Sequence, residues 1–432
     1  MEHSEKNGLK TRQVALDLFA QIYRKKNPMD QVLQRSEALL ELETRDRAFV
    51  RLMLATLFRR LGQIDYIIEQ FLDNASGLKS PIVMDILRFG VVQLIYLKTP
   101  PHAAVSESVE LAEHHHGLSR YKGLINAILR KIVDHGQEKL AQTSIELNTP
   151  AWLLDFWVKD YGRDIAMKII KANAVEPSLD ITVKSEVEKW QEALKAEMMP
   201  TASLRLQNAG LIQELAGFDQ GAWWVQDIAS SLPVKVMGDV SGKSVYDICA
   251  APGGKTAQLL AKGAHVVAVD RSPKRMARFE ENMARLGFTD FEIEIADASV
   301  WDPKTQADTV LVDAPCSATG TIRRHPDMPY QKQAIDIEKL QSTQRRILSK
   351  AASLIKVGGE IIYCTCSLQR CEGEEQIEWF LQENPGFEIN PITLPELSEC
   401  ITSEGYIRAL PFHMSEKGGM DGFFVARLVK KA

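Results

Sequence analysis

The second half of the chain alternates apolar runs of strand length with stretches of helical periodicity, and this alternation restricts the possible folds most strongly. The runs lie at 245–250, 266–270, 291–296, 309–313, 360–366 and 423–428, and helical stretches separate most of them. One helix has both ends marked, since Ser272 is an N-cap residue, Pro273 opens the helix and Gly287 ends it. Alternating strands and helices favour a mostly parallel, doubly wound sheet. We therefore predict an α/β, Rossmann-like domain over residues 229–432.

The first third of the chain has a different pattern. From Leu9 to about Asp134, apolar residues recur at helical spacing, which predicts an all-helical domain over residues 1–140. Two helical stretches and a short strand near Ile181 follow, and they predict a small α+β domain over residues 145–228. A chain of 432 residues is too long for one compact core, which agrees with this division into three.

Charge and cysteine content exclude several classes of protein. No run of about 18 apolar residues is present and the first residues are polar, so we expect a cytoplasmic protein without a membrane contact. The net charge of −5 argues against a general nucleic-acid binder but permits a local basic face. Six cysteines in such a chain are expected to be reduced thiols, and they do not form the paired CxxC units of a zinc site. We expect no metal.

A glycine-containing turn follows the first strand of the predicted sheet. Small residues and paired glycines there let the backbone approach a ligand closely, although the spacing is neither that of a P-loop nor GxGxxG. Carboxylates also follow the successive strands, at the edge where open sheets bind nucleotides. Asp270 could accept both hydroxyls of an adenosine ribose, and Asp297 could bond the adenine amine. The predicted cofactor-binding residues are Cys249, Ala250, Ala251, Pro252, Gly253, Gly254, Lys255, Asp270, Asp297 and Asp313.

Two cysteines lie at the ends of the fourth and fifth strands of the predicted sheet. Cys316 belongs to the segment Asp-Ala-Pro-Cys-Ser at 313–317, and Cys366 to Thr-Cys-Ser at 365–367. If these strands are neighbours, both thiols can approach one pocket. A lone cysteine is more often a small buried apolar residue, which is our interpretation of Cys364, Cys371 and Cys400.

Together these motifs resemble those of the RNA cytosine-5 methyltransferase family. The glycine-containing turn is similar to its S-adenosyl-L-methionine (SAM) loop, and the two cysteine segments to its two-cysteine signature. The stretches 102–109 and 126–130 resemble the NusB family. A NusB-like domain before the catalytic domain implies the bacterial Fmu or Sun type, which modifies small-subunit ribosomal RNA.

The resemblance implies a role for each catalytic residue. Cys366 would be the thiolate that adds to carbon 6 of cytosine and makes carbon 5 nucleophilic. Cys316 would assist loss of the carbon 5 proton and release of the product, and Asp313 would hydrogen-bond N3. SAM is the expected cofactor. The expected substrate is 16S ribosomal RNA, naked or in an early assembly intermediate, and the protein is expected to act as a monomer.

Two other functions remain open from the sequence. A SAM-dependent methyltransferase of another RNA, a protein or a small molecule would explain the aspartates but would leave the cysteines without a role. A non-enzymatic RNA-binding factor would explain only the helical domain. The segment 180–184 lacks the Arg-Val-Asn of the family's preceding domain, so the resemblance supports the catalytic residues but no RNA contact at this segment.

Overall fold

The computed structural model describes residues 2–72, 78, 80–207 and 209–431, with side chains from residue 8 onward. Two compact units form, and each consists of two stretches of chain. The first unit contains Met1–Val158 and His325–Lys332, and the second contains Lys159–Arg324 and Gln333–Ala432. The domain boundaries expected from the sequence stay a prediction.

Helices build the first unit, as the apolar spacing predicts. Their apolar faces surround one core, at the centre of which Phe19, Phe58 and Phe89 lie with their rings in contact. Ser80 occupies the N-cap position and Pro81 the first position of the fifth helix. The helices are α1 (Glu2–Phe19), α2 (Met29–Arg35), α3 (Glu37–Leu40), α4 (Thr44–Glu69), α5 (Pro81–Val91), α6 (Pro101–His114), α7 (Lys122–Ala141) and α8 (Ala151–Tyr161).

The segment His325–Lys332 completes the first unit from a distant part of the chain. The Tyr330 ring lies 6.0 Å from the ring of Tyr23 and 5.9 Å from that of Phe58, measured between centroids. Its hydroxyl donates to the Asn148 carbonyl at 3.1 Å, and the Asp327 carboxylate accepts from a backbone N–H of α2. This segment is therefore part of the helical core.

The second unit begins with α9 (Arg163–Asn173) and a small antiparallel sheet. The sheet has the order β2–β3–β1–β4, and Ile181 is paired with Leu204 on one side and Val225 on the other. A buried ion pair joins Asp180 to Arg205 across two of its strands, with an N–O distance of 2.6 Å. Its elements are β1 (Leu179–Val183), α10 (Val187–Leu194), β2 (Glu197–Met198), β3 (Leu204–Leu206) and β4 (Trp223–Val225).

A larger mixed sheet forms the rest of the second unit. Its strands are ordered β10–β12–β9–β8–β5–β6–β7, with β11 paired to β12, and β5 to β9 are parallel. The elements are α11 (Ile228–Lys235), β5 (Ser244–Ile248), α12 (Gly254–Ala261), β6 (His265–Val269), α13 (Pro273–Leu286), β7 (Phe291–Glu294), β8 (Ala307–Asp313), α14 (Ala334–Leu354), β9 (Ile355–Thr365), α15 (Glu374–Glu383), β10 (Phe387–Ile389), β11 (Ile407–Ala409) and β12 (Phe423–Lys430).

This sheet confirms the predicted α/β fold class and places the site. Ser272 accepts a hydrogen bond from the Arg275 N–H at the start of α13, and Gly287 ends that helix in the left-handed region, as predicted. The strand order reverses at β5, which has β6 on one side and β8 on the other. Open sheets bind ligands outside the carboxyl ends of the strands at such a reversal. Within the described part of the chain, no helix combines the length and apolarity needed to cross a bilayer.

Candidate active site

The turn after β5 holds its shape through backbone conformations that few residues adopt. Cys249 has a φ of +65° and Gly253 a φ of +103°. A Cβ atom on Gly253 would lie 2.8 Å from Met283 and 2.9 Å from Phe279, so glycine lets the turn pack against α13. Ala250 and Ala251 are buried in this turn, Pro252 is exposed and Gly254 begins α12. The backbone N–H groups at the start of α12 therefore face the carboxyl edge of the sheet.

The aspartates at the ends of β5 and β6 are buried acceptors. Asp247 accepts a hydrogen bond from Thr256 at 2.5 Å through Oδ2, whereas its Oδ1 has no hydrogen-bond partner. Burial raises the pKa of Asp247 to about 7. Asp270 accepts from the Ser272 backbone N–H at 3.0 Å, and its Oδ2 lies 2.9 Å from the Arg275 guanidinium without hydrogen-bond geometry.

Asp297 is in a more open environment just after β7. Its Oδ1 accepts from the hydroxyl of Ser299 at 2.7 Å and from the backbone N–H of the same residue at 2.9 Å. These hydrogen bonds lower the pKa of Asp297. One carboxylate oxygen is thus used within the loop, which leaves the other for a ligand.

Asp313 ends β8 and forms an ion pair with Lys255. The Lys255 Nζ donates to Asp313 Oδ2 at 2.8 Å, and the side chains are 9% and 31% exposed, respectively. Burial alone would lower the pKa of Lys255, but the adjacent Asp313 carboxylate, together with Cys364 and Cys366, raises it. The ammonium is therefore charged, and the pair presents a donor and an acceptor side by side.

The two predicted catalytic cysteines lie next to each other. Strands β8 and β9 are parallel neighbours with Asp313 opposite Cys364, which confirms the expected adjacency. The Sγ atoms of Cys316 and Cys366 are 3.4 Å apart, and both residues are partly exposed. The hydrogen bond that Cys316 shares with Cys366, followed by burial, raises the pKa of Cys316 well above that of a free thiol.

The other cysteines lie outside this pair. Burial raises the pKa of Cys249 and of Cys371 to about 12 each. Cys364 is fully buried with its Sγ 3.6 Å from Asp313, and Cys400 is buried with its Sγ 3.2 Å from His413 Nδ1. Among the described residues, no group of three or more His, Cys, Asp and Glu side chains could hold a metal ion.

A buried hydrogen-bond network beneath the cysteines was not predicted from the sequence. Ser317 and Ser367, which directly follow the two cysteines, both donate their hydroxyls to the carboxylate of Glu372. The repeated Cys-Ser pair was the available signal, since two hydroxyls at equivalent strand ends can share one acceptor.

Comparison with known proteins gives two family matches. Residues 235–429 match the model described as 16S rRNA methyltransferase RsmB/F, and residues 9–134 match the NusB family. The ribosomal RNA small subunit methyltransferase B of Cronobacter sakazakii is 32% identical, over 99% of this chain and 100% of that protein.

Two solved structures share the fold. The protein PH0851 has a TM-score of 0.74 at 23% identity, covering 98% of both chains. NSun6 from Pyrococcus horikoshii, solved with SFG, has a TM-score of 0.57 at 22% identity, covering 66% of this chain and 98% of that one.

Proposed function

Because this chain belongs to the 16S rRNA methyltransferase RsmB/F family, we propose that it methylates carbon 5 of a cytosine in 16S ribosomal RNA with SAM as the methyl donor. The observation that carries the proposal is the 3.4 Å separation of the Cys316 and Cys366 sulfurs, beside the Asp313–Lys255 pair. This edge of the sheet offers a nucleophile, a second thiol and a hydrogen-bonding pair in one place.

The residues at the ends of β5 and β6 fit SAM. Asp247 Oδ1 is a buried acceptor without a partner, and Asp270 Oδ2 can still accept a hydrogen bond. Ribose hydroxyls are suitable donors for Asp270, the turn 249–254 would hold the amino-acid part, and Asp297 would bond the adenine amine. SAM supplies a methyl group on a sulfonium, which is an electrophile that an activated carbon 5 can attack.

The chain's own residues supply the activation. The Cys366 thiolate adds to carbon 6 of cytosine, so that an electron pair moves toward carbon 5 and this carbon bonds the methyl group. Asp313 would hydrogen-bond the cytosine at N3, and the adjacent Lys255 ammonium would help to stabilise the charge that develops on the ring. Cys316 then assists removal of the carbon 5 proton, and the bond between carbon 6 and the Cys366 sulfur breaks to release the product.

Several finer features belong to the same proposal. The helical part, residues 1–140, would contact RNA, and residues 229–432 would carry the reaction. The α+β part, residues 145–228, would contact RNA or link the other two parts. The substrate would be naked 16S RNA or an early assembly intermediate in the cytoplasm, and the enzyme would act as a monomer. A cytosine must leave its stack to reach the paired thiols, which favours single-stranded or looped RNA.

A trapping experiment with RNA that contains 5-fluorocytosine tests the covalent mechanism. Fluorine replaces the carbon 5 proton, so the elimination fails and the adduct accumulates for mass spectrometry. We expect the full-length protein and Cys371→Ala to form the adduct, and Cys366→Ala to form none. Absence of an adduct from the unmodified protein, or its persistence in Cys366→Ala, would reject the proposal.

A further inference from the structure

Glu372 is a buried carboxylate that joins the two cysteine-bearing loops. Its side chain is completely buried behind the site. Oε1 accepts from the Ser317 backbone N–H at 3.0 Å and from Gln344 Nε2 at 2.9 Å. Oε2 accepts from the Ser317 hydroxyl and from the Ser367 hydroxyl, the latter at 2.6 Å. One carboxylate thus connects the end of β8, the end of β9 and the middle of α14.

The contacts of Glu372 engage both oxygens of its side chain. A backbone N–H and a side-chain amide N–H can only donate, and they occupy Oε1. The two hydroxyls both lie within hydrogen-bond distance of Oε2. Several hydrogen bonds converging on it offset the cost of burying this polar side chain.

The network acts on residues adjacent to the nucleophiles. Ser317 follows Cys316 and Ser367 follows Cys366, so each cysteine is one peptide unit from a group held by Glu372. Gln344 also donates to the Pro315 carbonyl at 2.9 Å, which fixes the residue on the other side of Cys316. A shift of the carboxylate would therefore move both loops, and with them both sulfurs.

We propose that Glu372 is the positioning residue that sets the separation of the Cys316 and Cys366 sulfurs. This inference rests on the proposed function, in which one thiol adds to the ring while the other assists release. It assigns Glu372 no contact with the RNA or with SAM. The two thiols lie on separate loops, so their separation depends on a group that binds both loops. The Glu372 side chain is such a group, because it accepts hydrogen bonds from the serine that follows each cysteine.

Disulfide cross-linking measures this separation without any substrate. A diazenedicarboxamide oxidant takes one hydrogen from each thiol and is reduced to the hydrazine, while the two sulfurs form a bond. We expect the unmodified protein to form the Cys316–Cys366 disulfide readily, as mapped by mass spectrometry. In Glu372→Ala its rate should fall at least about ten-fold, because the reaction depends on sulfur proximity. Glu360→Ala is the matched control, since it removes a carboxylate on β9 that pairs with Arg427 on the neighbouring strand β12.

Kinetics then separate positioning from simple stabilisation. For Glu372→Ala we expect kcat to fall by about 100-fold, the effect of a displacement of about 1 Å, with KM for RNA and SAM nearly unchanged. Glu372→Gln retains the shape and one acceptor, so it should recover part of both the cross-linking rate and kcat. If Glu372→Ala does not fold, the double variant Ser317→Ala/Ser367→Ala gives the same test, and it should lower the cross-linking rate in the same direction.

The outcomes distinguish this inference from the reaction proposed above. Cross-linking of the folded variants at the rate of the unmodified protein would overturn the role of Glu372, even if the 5-fluorocytosine adduct forms. Failure of that adduct in the unmodified protein would instead reject the reaction, and the cross-linking result would be unaffected.

Discussion

The Lys255–Asp313 ion pair should make a measurable contribution to the stability of the sheet edge. At the observed N–O distance of 2.8 Å, the attraction is about 6 kcal/mol at an effective dielectric constant of about 20. Desolvation of the two charges offsets much of this attraction. The loss of stability when one partner is removed is therefore a better measure of what the ion pair contributes. Removal of one partner from a fully buried pair costs about 3–5 kcal/mol of folding stability. Because Asp313 is partly exposed, the lower end of this range applies here. We therefore expect about 3 kcal/mol for Lys255→Met.

A double-mutant cycle isolates the interaction between the two residues. Asp313→Asn leaves the buried ammonium without its partner and should also cost about 3 kcal/mol. The double variant removes both charges, so its loss should be smaller than the sum, with a coupling energy of about 2 kcal/mol. Hydrogen exchange of the amides in β5 and β8 measures the opening of this part of the second unit directly.

An exposed pair on the same sheet provides the control. Lys356 and Asp308 are 2.6 Å apart, but their side chains are 49% and 37% exposed, so their coupling should lie at about 0–1 kcal/mol. Equal coupling energies for the two pairs would refute the reasoning, because burial would then have no influence on the strength of the interaction.

Three further predictions follow from the geometry. The Cys316→Ala variant should still form the bond between Cys366 and cytosine, but it should release the RNA slowly. A covalent complex with unmodified RNA should therefore accumulate on denaturing gels. Normal turnover of this variant would refute the role assigned to Cys316. Burial raises the pKa of Asp247 from 3.8 to about 7, so the folded state is favoured by protonation and loses stability as the pH rises from about 4 through 7. The loss is on the order of 4 kcal/mol relative to Asp247→Asn, and parallel pH profiles of urea unfolding for the two proteins would contradict it. Tyr330→Ala should increase hydrogen exchange in the first unit and lower its stability by about 3 kcal/mol, because the ring packing is lost. Tyr66→Ala, at a position outside the core cluster, should have little effect. Equal effects of the two substitutions would show that the segment from 325 to 332 does not support that core.

The longer helices and strands and the proximity of Cys316 and Cys366 were predictable, because the sequence features that indicate them lie within short stretches of the chain. The cap and glycine of α13 mark both of its ends, and parallel strands bring the segments 313–317 and 365–367 to one edge once their order is known. Strands β10 and β11 were not predicted, since each has 3 residues and gives no periodicity. The burial of Glu372 was also missed, because a glutamate in a charged stretch is usually solvated, and only the tertiary structure supplies the donors around it.

The packing of Tyr330 into the helical core could not be predicted for a related reason. Its partners Tyr23 and Phe58 lie some 300 residues earlier in the sequence. Periodicity indicates which residues face a core but not which core they belong to, so sequence pattern alone does not place residues 325–332 with the helices.

The position of residues 325–332 in the first unit also constrains the order of folding during synthesis. Ribosomes synthesise about 5–20 residues per second, and about 170 residues separate Val158 from His325, so the last piece of the helical unit emerges roughly 10–30 seconds after the rest. During that interval the aromatic side chains of Tyr23 and Phe58 lack the packing contact with Tyr330. The N-terminal part of the nascent chain therefore reaches its final packing only after the Cys316 loop has itself been translated.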